Sequence, residues 1–284
     1  MTDSSDTAAP VAPKGVDTEK PSAARVYDWF LGGSHNWAVD REFGRRLETL
    51  WPLFRPVAQQ NRAFMNRVVA AALEAGVRQF VDLGSGVPTV GNVHEIVRNR
   101  LGDNTGRVVY VDYEPVAAAH STLILEQDDA TDWAGLVQAD MRDPDSIFAA
   151  EETLRLIDWS EPVCVLMIAV LHFVGPDDDP AGLVARYRKQ MAPGSWLGLT
   201  HAGVADDAPP DRAEQARNFA AAYKNTSNPV WLRSDEDVLP WFGDWPLLPP
   251  GISPLLDWRP ERKPDSLDAA TRPFGRGAVA VHPG

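Results

Sequence analysis

The most constraining feature of this 284-residue chain is an apolar run that ends in an acid and two near-adjacent glycines, Phe80-Val-Asp-Leu-Gly-Ser-Gly-Val-Pro-Thr89. A buried strand followed by such a turn is typical of an α/β sheet that opens onto a nucleotide-like ligand. Gly84 and Gly86 can adopt backbone angles that other residues resist, and they place no side chain between backbone and ligand. Pro88 stands where a dinucleotide fingerprint has its third glycine. The turn therefore favours a ligand without a phosphate.

The composition narrows the range of partners. With 27 basic and 40 acidic side chains, the chain has a formal net charge of -13. A surface this acidic repels phosphate backbones, so we expect no nucleic-acid partner. No apolar run approaches the roughly 20 residues that a membrane span requires. The N-terminus also lacks the charged-then-apolar order of a secretory signal, so we expect no membrane contact.

The single cysteine, Cys164, lies inside an apolar run. One cysteine cannot form an intrachain disulfide, and a reducing cytoplasm is the expected location of such a chain. A catalytic role for Cys164 is the alternative to a packing role, but buried cysteines usually act as small apolar residues.

Strands and helices alternate through the middle of the chain. Apolar runs predict strands over 79–83, 107–112, 136–139, 162–170, 195–200 and 277–282. Helical spacing predicts helices from 22 to the Gly32-Gly33 break and over 39–51, 57–75, 91–101, 115–126, 144–157, 179–191 and 210–224. This alternation indicates a parallel, doubly wound sheet. Residues 1–21, rich in Ala, Pro, Asp, Ser and Thr, predict a disordered tail.

An acid lies at the end of each of three successive predicted strands: Asp82, Asp112 and Asp140. Ligands bind outside the carboxyl ends of strands in such a sheet. Clustered carboxylates repel each other, so a binding role explains the set better than folding does, although each acid singly could cap a helix. Asp112 could accept hydrogen bonds from a ribose diol, and Asp140 could accept one from an adenine amino group. An acidic cleft suits a cationic sulfonium cofactor better than a pyrophosphate.

The ordered motifs resemble the class I S-adenosylmethionine-dependent methyltransferases, and more narrowly a largely actinobacterial methyltransferase family formerly catalogued as a domain of unknown function. The narrower resemblance covers about residues 22–283. It rests on Ala24-Arg-Val-Tyr-Asp-Trp-Phe-Leu-Gly-Gly33, His35-Asn36, Asn61-Arg-Ala-Phe64, Arg78-Gln-Phe-Val-Asp-Leu-Gly-Ser-Gly-Val-Pro-Thr89, Asn92-Val-His-Glu95, Arg107-Val-Val-Tyr-Val-Asp112 and Trp258-Arg-Pro260.

The resemblance implies an α/β fold: a doubly wound, mostly parallel, Rossmann-like seven-stranded sheet with an N-terminal helical lid and a C-terminal antiparallel edge. It implies one methyltransferase-like domain over 22–284. Within it, 22–76 would form the lid, 77–201 the cofactor-binding core, and 202–284 the C-terminal helices and edge strands. The implied cofactor is S-adenosylmethionine, and the implied partner is a small-molecule acceptor.

The resemblance also implies a set of site residues. The expected cofactor-binding residues are Asp82, Gly84, Ser85, Gly86, Asp112, Tyr113, Asp140, Met141, Ala169, Tyr27 and Asn36. Arg25, Asp28 and His35 are expected to contact the substrate or to belong to the lid. A plain core helix is the alternative for Tyr27 and Trp29. The family usually has Tyr-Leu-Leu-Gly-Gly-Lys where this chain has Trp29-Phe-Leu-Gly-Gly-Ser34, and that difference removes a charge near the expected mouth.

Two histidines follow the fourth and fifth predicted strands, where an acceptor would lie. His172 and His201 are the candidate catalytic residues, because a histidine with a near-neutral pKa can deprotonate a hydroxyl or an amine. A structural histidine is the alternative for each. No spacing of His, Cys and Asp resembles a zinc site, so no metal is expected.

The motifs leave three functions open. The first is methyl transfer to a small molecule, in the context of secondary metabolism. The second uses the same pocket to transfer the aminocarboxypropyl group of the cofactor or to cyclise it. The third is a non-catalytic regulator that senses the cofactor.

Overall fold

The computed structural model describes residues 18–87, 91–205, 208–224, 226 and 228–284. The predicted tail over 1–21 lies outside these residues except for its last four positions, and Pro88 and Thr89 of the glycine-turn motif also lie outside them.

The strands of the described chain form one seven-stranded sheet in the order β3-β2-β1-β4-β5-β7-β6. Strands β1 to β5 are parallel, and β7 pairs antiparallel with both β5 and β6. The strands are β1 Gln79–Leu83, β2 Arg107–Asp112, β3 Ala134–Gln138, β4 Val163–Met167, β5 Trp196–Val204, β6 Ser253–Pro254 and β7 Phe274–Val281. The predicted α/β, doubly wound, mostly parallel sheet with an antiparallel C-terminal edge is therefore confirmed.

The helices flank this sheet in the order that the sequence predicts. They are α1 Ala23–Phe30, α2 Ala38–Leu50, α3 Phe54–Glu74, α4 Val93–Leu101, α5 Pro115–Gln127, α6 Pro144–Phe148, α7 Glu151–Leu156, α8 Pro180–Gln190, α9 Pro210–Tyr223, α10 Asp235–Val238 and α11 Ser266–Thr271. No helix among these described residues is both long and apolar enough to cross a membrane.

Two predicted elements differ from the structure. The helix predicted over 144–157 is two helices, because Ala150 adopts an extended backbone and serves as the N-cap of α7. The strand predicted over 162–170 ends at Met167, because Ala169 has a φ of 55° and turns the chain. The residues after Met167 thus form a turn at the sheet edge rather than a continuation of β4.

The core lies on both faces of the sheet. Side chains alternate along β1, so that Val81 packs into one apolar cluster with Leu183 of α8, while Phe80 packs into another with Val68 of α3. All five residues of β1 are buried, as expected for a central strand covered on both faces. A third cluster joins the N-terminal helices to α9 and β7.

A buried arginine fixes the N-terminal helices to the end of β2. The Arg25 guanidinium lies 2.8 Å from the carboxylate of Asp40 in α2 and 2.8 Å from that of Glu114, the N-cap residue of α5. The same guanidinium lies over the Trp37 ring, 5.1 Å from its centroid. Because buried charges are costly unless they are paired, these contacts fix the position of α1 and α2 relative to the sheet edge.

Removing this guanidinium should destabilise the fold strongly. Arg25→Ala leaves the carboxylates of Asp40 and Glu114 without their cation, and we expect the free energy of unfolding to fall by about 3–5 kcal/mol. Urea unfolding followed by far-UV circular dichroism measures the change. Arg100→Ala is the matched control, because the half-exposed Arg100 lies 3.7 Å from the exposed Glu74, and its loss should cost less than about 1 kcal/mol. Equal losses in the two variants would contradict the role given to Arg25.

Candidate functional site

A cavity of about 470 Å³ lies at the carboxyl ends of the parallel strands, within the size range of small-molecule sites. Most of the residues predicted from the sequence line it. These are Tyr27, Asp82, Gly84, Ser85, Gly86, Asp112, Tyr113, Asp140, Met141, Ala169, His172 and His201. Helices α1, α3 and α9 contribute further wall residues that were not predicted from the sequence.

The glycine turn is held against the end of β2. The backbone amides of Gly84 and Ser85 donate to the Val111 carbonyl at 2.8 and 3.1 Å, and the Gly86 amide donates to the Asp112 carboxylate at 2.8 Å. Gly84 and Gly86 have φ values of 68° and 69°, in the left-handed region that favours glycine. The Ser85 hydroxyl is buried and has no hydrogen-bond partner among the described residues. The turn therefore presents backbone and one unpaired hydroxyl to the cavity.

Asp112 is buried and already hydrogen-bonded. Its second carboxylate oxygen accepts a hydrogen bond from the Glu114 amide at 2.8 Å. Burial raises the pKa of Asp112 to about 6, and the amides of Glu114 and Gly86 oppose that rise. The side chain thus joins the glycine turn to the start of α5 and still faces the cavity.

Asp82 lies at the bottom of the site with no hydrogen bond to its carboxylate from the described residues. It is 4% exposed, and burial raises its pKa to about 7, against the field of Arg62 and with a further rise from Asp112. A carboxyl group in this state is readily ionised by a positively charged ligand group placed beside it.

Arg62 of α3 lines the cavity, and the sequence analysis gave it no role. Among the described residues, no carboxylate lies within 4.0 Å of its guanidinium, and its one hydrogen-bond contact is the Met65 sulfur at 3.9 Å. The segment Asn61-Arg-Ala-Phe64, which carries part of the family resemblance, could have indicated a role for Arg62 at the site. An arginine that faces a cavity without an acidic partner can bind an anionic ligand group.

Asp140 and Met141 form another part of the wall. Both Asp140 oxygens accept hydrogen bonds from Arg142: Oδ1 from the Nε at 3.0 Å and Oδ2 from the Nη2 at 2.6 Å. Burial alone would raise the pKa of Asp140, but the hydrogen bonds from Arg142 hold it below its usual range. Tyr187 donates its hydroxyl proton to the Met141 carbonyl at 2.7 Å, which fixes this turn. Arg142, the partner of Asp140, was not predicted from the sequence.

His201 is held as a neutral imidazole with both nitrogens occupied. Its Nδ1 lies 2.7 Å from the Ala202 carbonyl, and its Nε2 lies 3.1 Å from the Arg233 guanidinium. Because arginine only donates, Nε2 accepts and Nδ1 carries the proton. Burial, with the charge of Arg233, lowers the pKa of His201 to about 3. His201 therefore has no free nitrogen with which to accept a substrate proton, which favours the structural alternative.

His172 differs from His201 in its hydrogen bonding. Its Nδ1 is buried and has no hydrogen-bond partner among the described residues. Its ring centroid lies 4.3 Å from that of Phe173 and 6.0 Å from that of His201. Burial, with His201 and Arg233, holds the pKa of His172 well below its usual range, so the ring is neutral. Of the two candidate bases, only His172 offers an unpaired nitrogen.

Four of the predicted site residues do not line the cavity: Asn36, predicted to bind the cofactor, and Arg25, Asp28 and His35, predicted to contact the substrate or belong to the lid. Arg25 is the buried ion-pair residue described above, and Asp28, His35 and Asn36 close the loop between α1 and α2. The Asp28 carboxylate accepts hydrogen bonds from the His35 amide at 2.9 Å and from the Asn36 side-chain amide at 2.8 Å. Asn36 also donates to the Gly33 carbonyl at 3.0 Å. The structure therefore gives no support for a direct cofactor contact by Asn36, because its amide is used within the loop.

Tyr27 reaches the cavity from α1. Its hydroxyl donates to the Ala58 carbonyl at 3.0 Å and accepts a hydrogen bond from the Asn61 amide at 3.0 Å. Both partners lie on α3, so Tyr27 also ties the two helices together. The cavity-facing role and the packing role predicted for Tyr27 are therefore compatible.

Outside the cavity, His94, Glu95 and Asp128 bring three possible metal-ligating atoms within 4.8 Å of one another. The ring nitrogens of His94 are already paired, with the Tyr110 hydroxyl at 2.7 Å and the Asp128 carboxylate at 2.9 Å. This arrangement is explained by a hydrogen-bond network that joins α4 to β2 and α5.

The two glycines of the turn should respond differently to the same substitution. Both have a positive φ, so either alanine variant should lose about 1–2 kcal/mol of unfolding free energy. A β carbon at Gly84 would also lie 2.4 Å from a Val170 methyl group, whereas no described atom lies within 4 Å of one at Gly86. We therefore expect Gly84→Ala to lose about 2–5 kcal/mol in urea unfolding. Equal losses would show that Val170 does not constrain the turn.

Comparison with known proteins identifies the family. The S-adenosyl methyltransferase family model matches residues 9–283. A candidate methyltransferase from Thermobifida fusca is 33% identical, with a TM-score of 0.85, and the match covers 96% of this chain and 98% of that chain. A DUF574 family protein from Streptomyces avermitilis is 34% identical, with a TM-score of 0.84 and coverage of 94% and 99%.

More distant comparisons add only the fold. An O-methyltransferase family protein from Burkholderia thailandensis is 14% identical, with a TM-score of 0.54, and the match covers 93% of this chain and 65% of that chain. No curated protein matches the chain. The family match and the two near full-length relatives agree with the strand order and with the cavity at the strand ends. The chain therefore belongs to the S-adenosyl methyltransferase family, and its cofactor is S-adenosylmethionine.

Proposed function

We propose that this enzyme transfers the methyl group of S-adenosylmethionine to a small molecule of secondary metabolism, in the cytoplasm. The observation that carries the proposal is the cavity, in which charged groups and the glycine turn at the strand ends adjoin a largely apolar wall from the helices. The net charge of -13 supports a small-molecule acceptor rather than a nucleic acid.

The charged groups fit the amino-acid part of the cofactor. Asp82 has no hydrogen-bond donor, and Arg62 has no acidic partner, among the described residues. The α-ammonium group would pair with the Asp82 carboxylate, and the α-carboxylate would pair with the Arg62 guanidinium. The unpaired Ser85 hydroxyl adds a further hydrogen-bonding group beside them.

The next two strand ends fit the nucleoside part. A carboxylate has about four lone-pair sites, so Asp112 can accept hydrogen bonds from a ribose diol while it keeps its two backbone donors. Met141 supplies an apolar surface for the adenine, and Asp140 an acceptor for its amino group. Tyr113 lies half exposed at this side, where its hydroxyl accepts a hydrogen bond from the Asn228 side chain at 2.6 Å. Ala169 completes the wall at the turn after β4.

The same contacts support a proposed domain organisation. We assign 77–201 as the cofactor-binding core, 22–76 as the lid and 202–284 as the C-terminal helices and edge strands. This division is supported by Tyr27 and Phe54 of the first segment and Phe219 of the last, because all three line the same cavity. The 22–76 segment thus covers the space beside the strand ends.

The bound cofactor supplies a methyl group on a positively charged sulfur, which is already an activated leaving group. The protein then has to position the acceptor, exclude water and hold the proton that the acceptor loses. The neutral His172 ring can accept a hydrogen bond from the acceptor at its unpaired nitrogen. Arg233 holds His201 in place beside it, which fixes that side of the cavity.

Product analysis tests the proposed reaction. The enzyme is incubated with S-adenosylmethionine and a bacterial metabolite extract, and the nucleoside products are separated by liquid chromatography with mass detection. We expect S-adenosylhomocysteine above the level of an enzyme-free control, together with a methylated metabolite. Methylthioadenosine as the main product would contradict methyl transfer, and no product above the control would contradict turnover.

A second test addresses the ribose contact of Asp112. Wild-type enzyme should bind S-adenosylhomocysteine more tightly than its 2′-deoxy analogue in isothermal titration calorimetry, because a hydrogen bond to a charged group contributes about 1.5–3 kcal/mol. Asp112→Ala should bind the two ligands with about equal affinity. A variant that weakens both ligands equally would show that Asp112 acts only through the turn. Asp103→Ala, which changes an exposed carboxylate far from the cavity, is the control and should leave the preference unchanged.

A further inference from the structure

The part of the cavity beyond the strand ends has an aromatic wall. It lies between the end of α2, the start of α3, the turn after β4, and α9. We call this region the aromatic end of the cavity, and it is defined by Trp51, Phe54, Phe173, Phe219 and Tyr223.

The rings of the aromatic end form a continuous surface. The ring of Phe219 lies 5.1 Å from that of Trp51, 4.5 Å from that of Phe54 and 5.0 Å from that of Tyr223, measured between centroids. Phe173 extends the series, 6.1 Å from Tyr223. Aromatic rings favour offset-stacked and edge-to-face neighbours, which add to the gain from burying apolar area. A planar aromatic ligand would be stabilised both by contacts with these rings and by burial of its apolar area.

Among the described residues of the wall, charge is confined to the other part of the cavity. The charged side chains of the wall belong to the strand ends, to α3 about two turns beyond Phe54, and to the turns beside Asp140: Arg62, Asp82, Asp112, Glu114, Asp140, Arg142 and Asp178. The neighbours of the aromatic end on the wall, Val57, Ala216 and Leu232, are apolar. A charged ligand group placed among them would lose its hydration without gaining a partner.

Two polar groups border the aromatic end without a hydrogen-bond partner among the described residues. One is the buried Nδ1 of His172, whose ring contacts Phe173. The other is the hydroxyl of Tyr223, which is 4% exposed and whose pKa burial raises above its usual range. Buried polar atoms normally have partners, and an unpaired one costs free energy. A ligand hydroxyl can both donate and accept, so it pairs with His172 in either tautomer.

We propose that the aromatic end binds an uncharged, planar aromatic molecule that carries a hydroxyl group, and that this molecule is the methyl acceptor. The proposal rests on the methyl transfer proposed above and specifies its substrate class. The rings supply the binding surface, the absence of charged side chains among the described wall residues around them selects for neutrality, and His172 selects for the hydroxyl.

Binding of three matched probes tests the proposal. 2-Naphthol is planar, uncharged at pH 7 and carries one hydroxyl; naphthalene lacks the hydroxyl; 2-naphthoate replaces it with a charge. Each is titrated by calorimetry into the full-length enzyme saturated with S-adenosylhomocysteine. We expect 2-naphthol to bind about tenfold more tightly than naphthalene, the effect of one hydrogen bond, and more tightly than 2-naphthoate by at least about tenfold.

A histidine variant with a matched control assigns the hydroxyl contact. His172→Phe keeps a ring but removes both nitrogens, so the preference for 2-naphthol over naphthalene should fall to about onefold while naphthalene binding is retained. His120→Phe makes the same change at a half-buried histidine that packs on His35 outside the cavity wall. That variant should keep the full preference.

Several results would overturn the proposal: equal binding of 2-naphthol and naphthalene to wild-type enzyme, tighter binding of 2-naphthoate, no binding of any probe, or an unchanged preference in His172→Phe. The wild-type comparison decides the matter even when His172→Phe does not fold. S-Adenosylhomocysteine binding separates the two proposals. If it binds and 2-naphthol does not, the substrate class is wrong and the methyl transfer stands; if it does not bind, the proposed function itself is wrong.

Discussion

The Asp112 carboxylate accepts hydrogen bonds from the amides of Gly86 and Glu114, so one side chain sets both the glycine turn and the start of α5. Glu114 in turn pairs with Arg25, and Arg25 with Asp40. A connected series of buried polar contacts thus runs from the glycine turn to the N-terminal helices. Through this series, the residues that cover the cavity are positioned by the same group that shapes its floor.

The cavity combines two environments that need different chemistry. Asp82 and Asp112 at the strand ends and Arg62 of α3 are charged or readily charged groups within a largely buried wall. At the aromatic end, apolar rings surround a histidine whose neutral form is favoured by burial. A cationic cofactor and a neutral acceptor would each find the environment that suits it. The boundary between the two lies near Ala169 and His172, on the turn that follows β4.

The sequence predicted the fold well because strand patterns are local. Short, mainly apolar runs identify β1, β2 and β4, and the acids at the ends of β1, β2 and β3 identify the ligand-binding edge. The two-residue β6 carries no periodic signal, and the break at Ala150 lies within a continuous helical pattern. The positive φ of Ala169 is likewise not visible in a run of apolar letters.

Side-chain roles were harder to predict than strand positions. The wall positions of Asp82, Asp112 and Met141 followed from their place after strands. The roles of Arg25 and Arg62 depend on whether a carboxylate lies beside each guanidinium in the fold, and spacing along the chain does not report that. For Asn36 the decisive partner is local in the sequence. Its side-chain amide pairs with Asp28 within the same loop, and Asn36 therefore does not line the cavity.

The raised pKa values of Asp82 and Asp112 couple the site to the stability of the whole domain. Both carboxyls are harder to ionise in the folded chain, with pKa values of about 7 and about 6, than in the unfolded chain, where an aspartate has its usual value of 3.8. Their contribution to stability is therefore present below about pH 4 and is lost as the pH rises through 6 and 7. At neutral pH the site on its own weakens the fold. A ligand that brings a positive charge to Asp82 would restore that stability, so the cofactor would act as part of the protein core as well as a reagent.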